Sequence, residues 1–296
     1  MLFRSGFAYY ESSLVVEWLI EHWGLEKMKR VLADLGRGVE INAALAANFA
    51  PINQLDTDFA EHAKALARNV APKVDWTPPK PADVSSEQAL EKFVEANPTN
   101  LEALRARAEK LMNERKWKEA KEPLQKLVEL YPDQREAEGD YASLARVQRE
   151  LGEYDAEETT LARLAELVPD ATSAFLRLLQ IYGERQDWPK VLDYAERYEA
   201  VDPLRPEPYR YEAEAHEARG EKPKAIGAYR TLLKLDPPDQ AEMHYRLARL
   251  IHAAGDAEAE RQVLMALEDA PRFRAAHKLL LEIAEKSRTQ PANPKP

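Results

Sequence analysis

Five prolines, Pro132, Pro169, Pro203, Pro237 and Pro271, close similar segments at intervals of 37, 34, 34 and 34 residues. Each segment has one design, clearest in LEALRARAEKLMNERKWKEAKEPLQKLVELYP from Leu101 to Pro132. Two amphipathic helical stretches flank a short polar break, and proline stops the second, because it has no amide hydrogen to offer another helical turn. One such helical pair is too small to bury its apolar face alone. Repeated at a fixed period, the pairs stack and share a core, so the period predicts an elongated all-α array.

Five full repeats are expected, over 101–134, 138–171, 172–205, 206–239 and 241–271. In the first, Leu104, Ala108 and Leu111 share a face of one helix, and Trp117, Ala120, Leu124 and Leu127 share a face of the next. The alanines let the two helices approach closely. Gly152, Gly220 and Gly255 fall in the turns between paired helices, where a left-handed backbone is easiest for glycine. This register of small, aromatic and aliphatic positions resembles the tetratricopeptide repeat. The resemblance implies a superhelical solenoid whose first helices line a concave, protein-binding groove. Some positions depart from it. Glu157 and Glu260 stand where alanine is expected, beside Ala156 and Ala259; three extra residues separate the first two repeats; and Pro123 falls inside a helix, which it should bend.

Before the repeats, Ser85 and Gln88 have capping-box spacing, which predicts a capped half-repeat over 85–98. After them, 274–286 reads as a closing helix, completing an array of 85–286, and 287–296 as a disordered tail. Residues 71–84, APKVDWTPPKPADV, hold four prolines and no apolar period. They read as an extended spacer of up to ~40 Å at about 3.1 Å per residue, with Trp76 as a potential anchor.

Residues 1–70 carry four helical patterns, a small subdomain ahead of the solenoid. Leu14, Val15, Trp18, Leu19 and Ile20 form one stripe, and Leu25, Met28, Val31, Leu32 and Leu35 another; INAALAANF and a stretch from Ile52 to Ala67 follow. The order YYESSLVVEWLIEHWGLEKMKRVLADLGRG, then INAALAANFAPINQLDTDFAEHA, resembles the C-terminal helical end of gluzincin-type zinc metallopeptidase domains. That resemblance puts Tyr10 where the family has a tyrosine that helps stabilise an oxyanion. The family's His-Glu-x-x-His helix and downstream Glu have no counterpart among His22, His62, His216, His244, His252 and His277. Without that metal, Tyr10 has no chemistry to assist; an aromatic packed at a helix start is the competing reading. No catalytic residue, metal or cofactor is expected in this chain.

The formal charge of −10, with no basic block, argues against nucleic acid or an anionic membrane as partner. No stretch reaches the apolar length of a membrane span. The first residues lack the apolar core of a signal peptide, and their abrupt entry into a helix leads us to expect further residues upstream. With cysteine absent, no compartment is indicated.

Projecting the first helices places Arg105, Arg146, Arg177, Arg210, Arg246 and Arg249 on the groove side, with Tyr211, Tyr245 and His252. Guanidinium pairs with carboxylate in a bidentate way, so this face suits an acidic or C-terminal-carboxylate peptide. The competing reading is a set of i,i+4 ion pairs, Arg105–Glu109, Arg146–Glu150, Arg210–Glu214 and Glu242–Arg246, worth about 0.2–0.5 kcal/mol each. Two functions remain open. The chain is a non-catalytic scaffold that binds a partner through its groove, or the C-terminal part of a zinc peptidase-like protein whose motif lies upstream.

Overall fold

The structure, a computed structural model, describes residues 2–289. Among them lie sixteen α-helices and no β-strand, and no helix is long and apolar enough to cross a membrane. The chain divides into two compact units, the first ending at Lys73 and the second beginning at Val74.

The first unit holds α1 (Leu2–Trp23), α2 (Leu25–Gly36), α3 (Ile41–Asn48) and α4 (Ile52–Asn69). Its core is small: Trp18, Leu19 and Leu55, with Trp23, Met28, Phe49 and Phe59 packed against them. Trp18 meets Trp23 edge-on with ring centroids 5.2 Å apart, a favoured aromatic geometry. Leu25 and Leu32, expected inward on α2, are exposed; of that stripe Val31 is buried and Met28 packs against the Trp18 cluster. Tyr10 stands 62% exposed on α1 rather than packed.

The second unit is the array. Its repeats pair α6 (Leu101–Asn113) with α7 (Trp117–Leu130), α8 (Asp140–Glu150) with α9 (Tyr154–Leu167), and α10 (Thr172–Glu184) with α11 (Trp188–Val201). Then come α12 (Pro206–Ala218) with α13 (Lys222–Lys234), and α14 (Gln240–Ala253) with α15 (Glu258–Asp269). α5 (Glu87–Ala96) precedes them and α16 (Arg274–Thr289) follows. Each closing proline lies two or three residues beyond the second helix of its pair. Small residues meet where paired helices cross: Ala108 with Ala120, Ala213 with Ala225, and Ala248 with Ala259 are all buried. In the last repeat the chain has therefore shifted by one residue, leaving Glu260 exposed. In the second repeat it has not shifted, and Glu157 itself is buried.

The turns explain three glycines and expose two exceptions. Gly152, Gly220 and Gly255 have φ of 75°, 73° and 79°, whereas Arg115 and Gln186 hold the same turns of the first and third repeats at 56° and 57°. A side chain in that conformation costs roughly 1–2 kcal/mol, offset in part by glycine's greater loss of backbone freedom on folding. Gln186→Gly should therefore stabilise the array by about 0.5–1 kcal/mol in urea unfolding.

Three local expectations change. Residues 74–84 are not a free spacer: Val74 is buried, the Asp75 amide donates to the Thr99 carbonyl at 2.9 Å, and the Leu101 amide donates back to the Asp75 carbonyl at 3.1 Å. Trp76 stands edge-on to Tyr131 with centroids 5.7 Å apart. The cap of α5 is Ser86, which accepts from the Ala89 amide; Ser85 closes the C-terminal end of a 3-10 turn over Pro81–Val84 and donates to the Ala82 carbonyl. α16 runs three residues past the expected end, so 287–289 of the expected tail are helical, while 290–296 lie outside the described residues. Pro123 sits buried inside an otherwise unbroken α7.

Candidate functional site: the face of the first helices

The first helices α6, α8, α10, α12 and α14 carry the arginines singled out from the sequence, and the structure shows what each one meets. Arg105 grips the next repeat. Its Nε donates to Asp140 Oδ1 at 2.9 Å, and its Nη2 donates to Asp140 Oδ2 at 2.9 Å and to Glu136 Oε2 at 3.0 Å. Asp140 is the first residue of α8, where a carboxylate also meets the positive end of the helix. Arg210 does the same three repeats later, pairing through two nitrogens with Asp239 at the start of α14. That contact holds Arg210 above and Asp239 below their ordinary pKa values.

Arg177 reaches back instead. Its Nε and Nη2 donate to the two oxygens of Glu157 at 2.7 and 3.0 Å, and Glu157 is only 1% exposed. The hydrogen bond to Glu157 raises the Arg177 pKa. The glutamate that interrupts the alanine pattern is thus the buried partner of an arginine on the following repeat.

At the far end the charges are interlocked. Arg246 donates to Glu242 at 3.0 Å and to the Tyr229 hydroxyl at 3.3 Å, and lies 3.5 Å from Glu214. Glu217 accepts from Tyr229 at 2.8 Å and also pairs with Arg249. Tyr211 packs on Gly183 of the preceding first helix, and Tyr245 on Phe273 with centroids 4.9 Å apart. Of the four i,i+4 pairs expected, Glu242–Arg246 forms; Arg105 and Arg210 take partners in the next repeat, a correction that arises because stacking brings the start of the following first helix beside them.

Arg146 differs from the rest. Its guanidinium lies 6.0 Å from the centre of the Trp117 ring, and no carboxylate among the described residues is paired with it. Arg149, three residues on along α8, is also exposed and without a paired carboxylate among the described residues. Sequence projection included Arg146 but not Arg149. Their i,i+3 spacing, which puts both on one helix face, was the available signal.

Residues 103–133 match the tetratricopeptide repeat family. Among solved structures, the chain is similar to YrrB, a TPR protein with an unusual peptide-binding site, at 16% identity over 67% of this chain and 98% of that one, with a TM-score of 0.50. The fold is that of a tetratricopeptide-repeat solenoid. A further similar structure is the C-terminal part of a TPR repeat-containing protein from Cytophaga hutchinsonii, at 16% identity over 69% of this chain and 82% of that one, with a TM-score of 0.48. MamA from Desulfovibrio magneticus is similar at 17% identity over 65% and 97%, with a TM-score of 0.44. No curated protein sequence matches the chain. The family match in the solenoid lies outside the first 70 residues, so it does not bear on the metallopeptidase resemblance. Among the described residues no three His, Asp or Glu side chains gather as a metal-ligand set.

Proposed function

We propose that the chain is a non-catalytic scaffold whose solenoid holds a partner protein or peptide on the face of its first helices. The observation that carries this reading is the stack of five repeats itself, similar in fold to a protein with a peptide-binding site. An acidic or carboxylate-terminated partner fits best at Arg146 and Arg149 of α8. Arg105, Arg177, Arg210, Arg246 and Arg249 already have carboxylate partners within the array and offer a ligand little uncompensated charge.

A displayed library of random peptides, read against the purified chain, tests both parts of the proposal. Saturable one-to-one binders enriched in Asp, Glu or a free C-terminus are expected. Their affinity should fall about tenfold in Arg146→Ala/Arg149→Ala, the equivalent of about 1.4 kcal/mol, and should weaken with added salt. A library that yields no saturable binder overturns the scaffold reading. Binders indifferent to both arginines overturn the assignment to α8.

A further inference from the structure

The first interval of the proline period is 37 residues where the others are 34, and the three extra residues fall in the loop between α7 and α8. That loop is built, not slack. Gln134 is 1% exposed; its Nε2 donates to the Tyr131 carbonyl at 3.1 Å and its Oε1 accepts from the Asp140 amide at 3.2 Å. The Gly139 amide donates to the Glu136 carbonyl at 3.1 Å, and a methyl group on Gly139 would come within 2.7 Å of the Glu136 Cβ. Glycine is therefore what lets the loop fold back on itself. Glu138 accepts from the hydroxyl of Ser173, on α10, at 2.6 Å, which sets its carboxylate in place.

Folded this way, the loop walls a cavity of about 230 Å³ against α6 and α8. Met112 of α6 and Leu124 of α7 give it an apolar floor, and Ser143 of α8 one side. Four carboxylates line it, Glu109, Glu136, Glu138 and Asp140, against one guanidinium, that of Arg105. Arg105 is already taken up by Asp140 and Glu136. Glu109 is exposed and has no paired cation among the described residues, because Arg105 turns to the next repeat instead of forming the i,i+4 pair. Glu138 meets only the Ser173 hydroxyl. The space holds one long side chain and is smaller than the usual small-molecule pocket. An aliphatic stem with a cationic head matches both parts: the stem covers the apolar floor, and the head donates charge-assisted hydrogen bonds to the carboxylates at the rim.

We propose that this cavity is a socket for a lysine or arginine side chain of the partner, set beside the carboxylate that Arg146 and Arg149 receive. The socket rests on the reading of α8 as the partner's site. Ser143 lines the cavity and Arg146 follows three residues on, so both share one face of α8 with Cβ atoms about 5–6 Å apart. An extended peptide advances about 3.3 Å per residue, so the partner's cation and its carboxylate stand about one to three positions apart. Adjacent sites of opposite sign also fix the direction of the bound chain. A reversed peptide sets its cation against Arg146 and its carboxylate against Glu109 and Glu138, and is rejected.

The displayed library of random peptides, read against the full chain, tests the socket. Binders that depend on Arg146 and Arg149 should carry a Lys or Arg at one fixed offset, about one to three positions from their Asp, Glu or C-terminus. In a resynthesised binder, norleucine for that lysine, or citrulline for that arginine, keeps the stem and removes the charge. It should weaken binding about tenfold or more. Glu109→Gln/Glu138→Gln, at two exposed positions, should lose a similar factor against the original peptide and little more against the uncharged one. A merely loosened fold would weaken both peptides alike. Binders that need the arginines but carry no cation at a fixed offset overturn the socket and leave the scaffold reading standing. So do binders held equally well by Glu109→Gln/Glu138→Gln, and losses that simply add. Binders indifferent to both arginines overturn the α8 site and the socket with it, and a library without saturable binders overturns the scaffold reading as well.

Discussion

Replacing Arg177 by alanine is expected to destabilise the middle of the solenoid by about 3–5 kcal/mol, the usual consequence of breaking a buried ion pair from one side. Glu157 is 1% exposed and both of its oxygens are satisfied by Arg177. Without the guanidinium, a carboxylate is left out of water with no compensating charge. Arg177→Glu adds a second anion to the same site and should cost more. The sequence places Arg177 on the groove side, ready for a partner's carboxylate; its pairing with Glu157 makes the charge reversal a stability mutation. Glu157→Ala in the Arg177→Ala background restores the small residue that the repeat pattern expects and should recover most of the loss, because an apolar replacement of a whole buried pair is often close to neutral. Urea unfolding followed by circular dichroism measures all four corners of this cycle. An Arg177→Ala variant within 1 kcal/mol of the parent would show that the pair contributes little and that Glu157 is satisfied by other means.

The Arg177–Glu157 pair also marks where the sequence was legible and where it was not. Period, helix pairing and turn positions follow from short-range rules. Proline ends a helix wherever it falls, glycine takes the left-handed turn, and small residues mark a close crossing, so Pro132 through Pro271, Gly152, Gly220, Gly255 and Ala108 against Ala120 could be read without coordinates. What Arg105, Arg177 and Arg210 touch depends on residues 35, 20 and 29 positions away. That separation is set by how one repeat stacks on another, which one helix's i,i+4 geometry does not contain. The same limit explains the misplaced deep position in two repeats. Glu157 and Glu260 look alike in sequence, but an arginine waits for Glu157, and Ala259 takes the deep position in the fifth repeat instead of Glu260.

The stretch from Val74 to Val84 failed for a related reason: its prolines describe its own extended backbone correctly but say nothing about what it lies against. Asn100 decides that. It is fully buried, its Oδ1 caps α6 by accepting from the Ala103 amide at 3.0 Å, and its Nδ2 donates to Asp75 Oδ2 at 2.9 Å and to the Thr77 carbonyl at 2.7 Å. One side chain therefore starts the first repeat and ties the strap across it. Asn100→Ala should cost roughly 2–4 kcal/mol, about one for the lost cap and the rest for two buried hydrogen bonds. In a solenoid each repeat leans only on its neighbours, so the loss should appear as fraying from this end. Tryptic cleavage after exposed Lys73, at its bond to buried Val74, should accelerate in the variant, while hydrogen exchange in α14 and α15 stays unchanged. Asn100→Asp separates the two roles, since a carboxylate still caps α6 but faces the Asp75 carboxylate and the Thr77 carbonyl without a proton to donate. It should keep the cap and release the strap. If Asn100→Ala costs no more than the cap alone, and Lys73 is cut at the parent's rate, the strap is held by its backbone bridge rather than by Asn100.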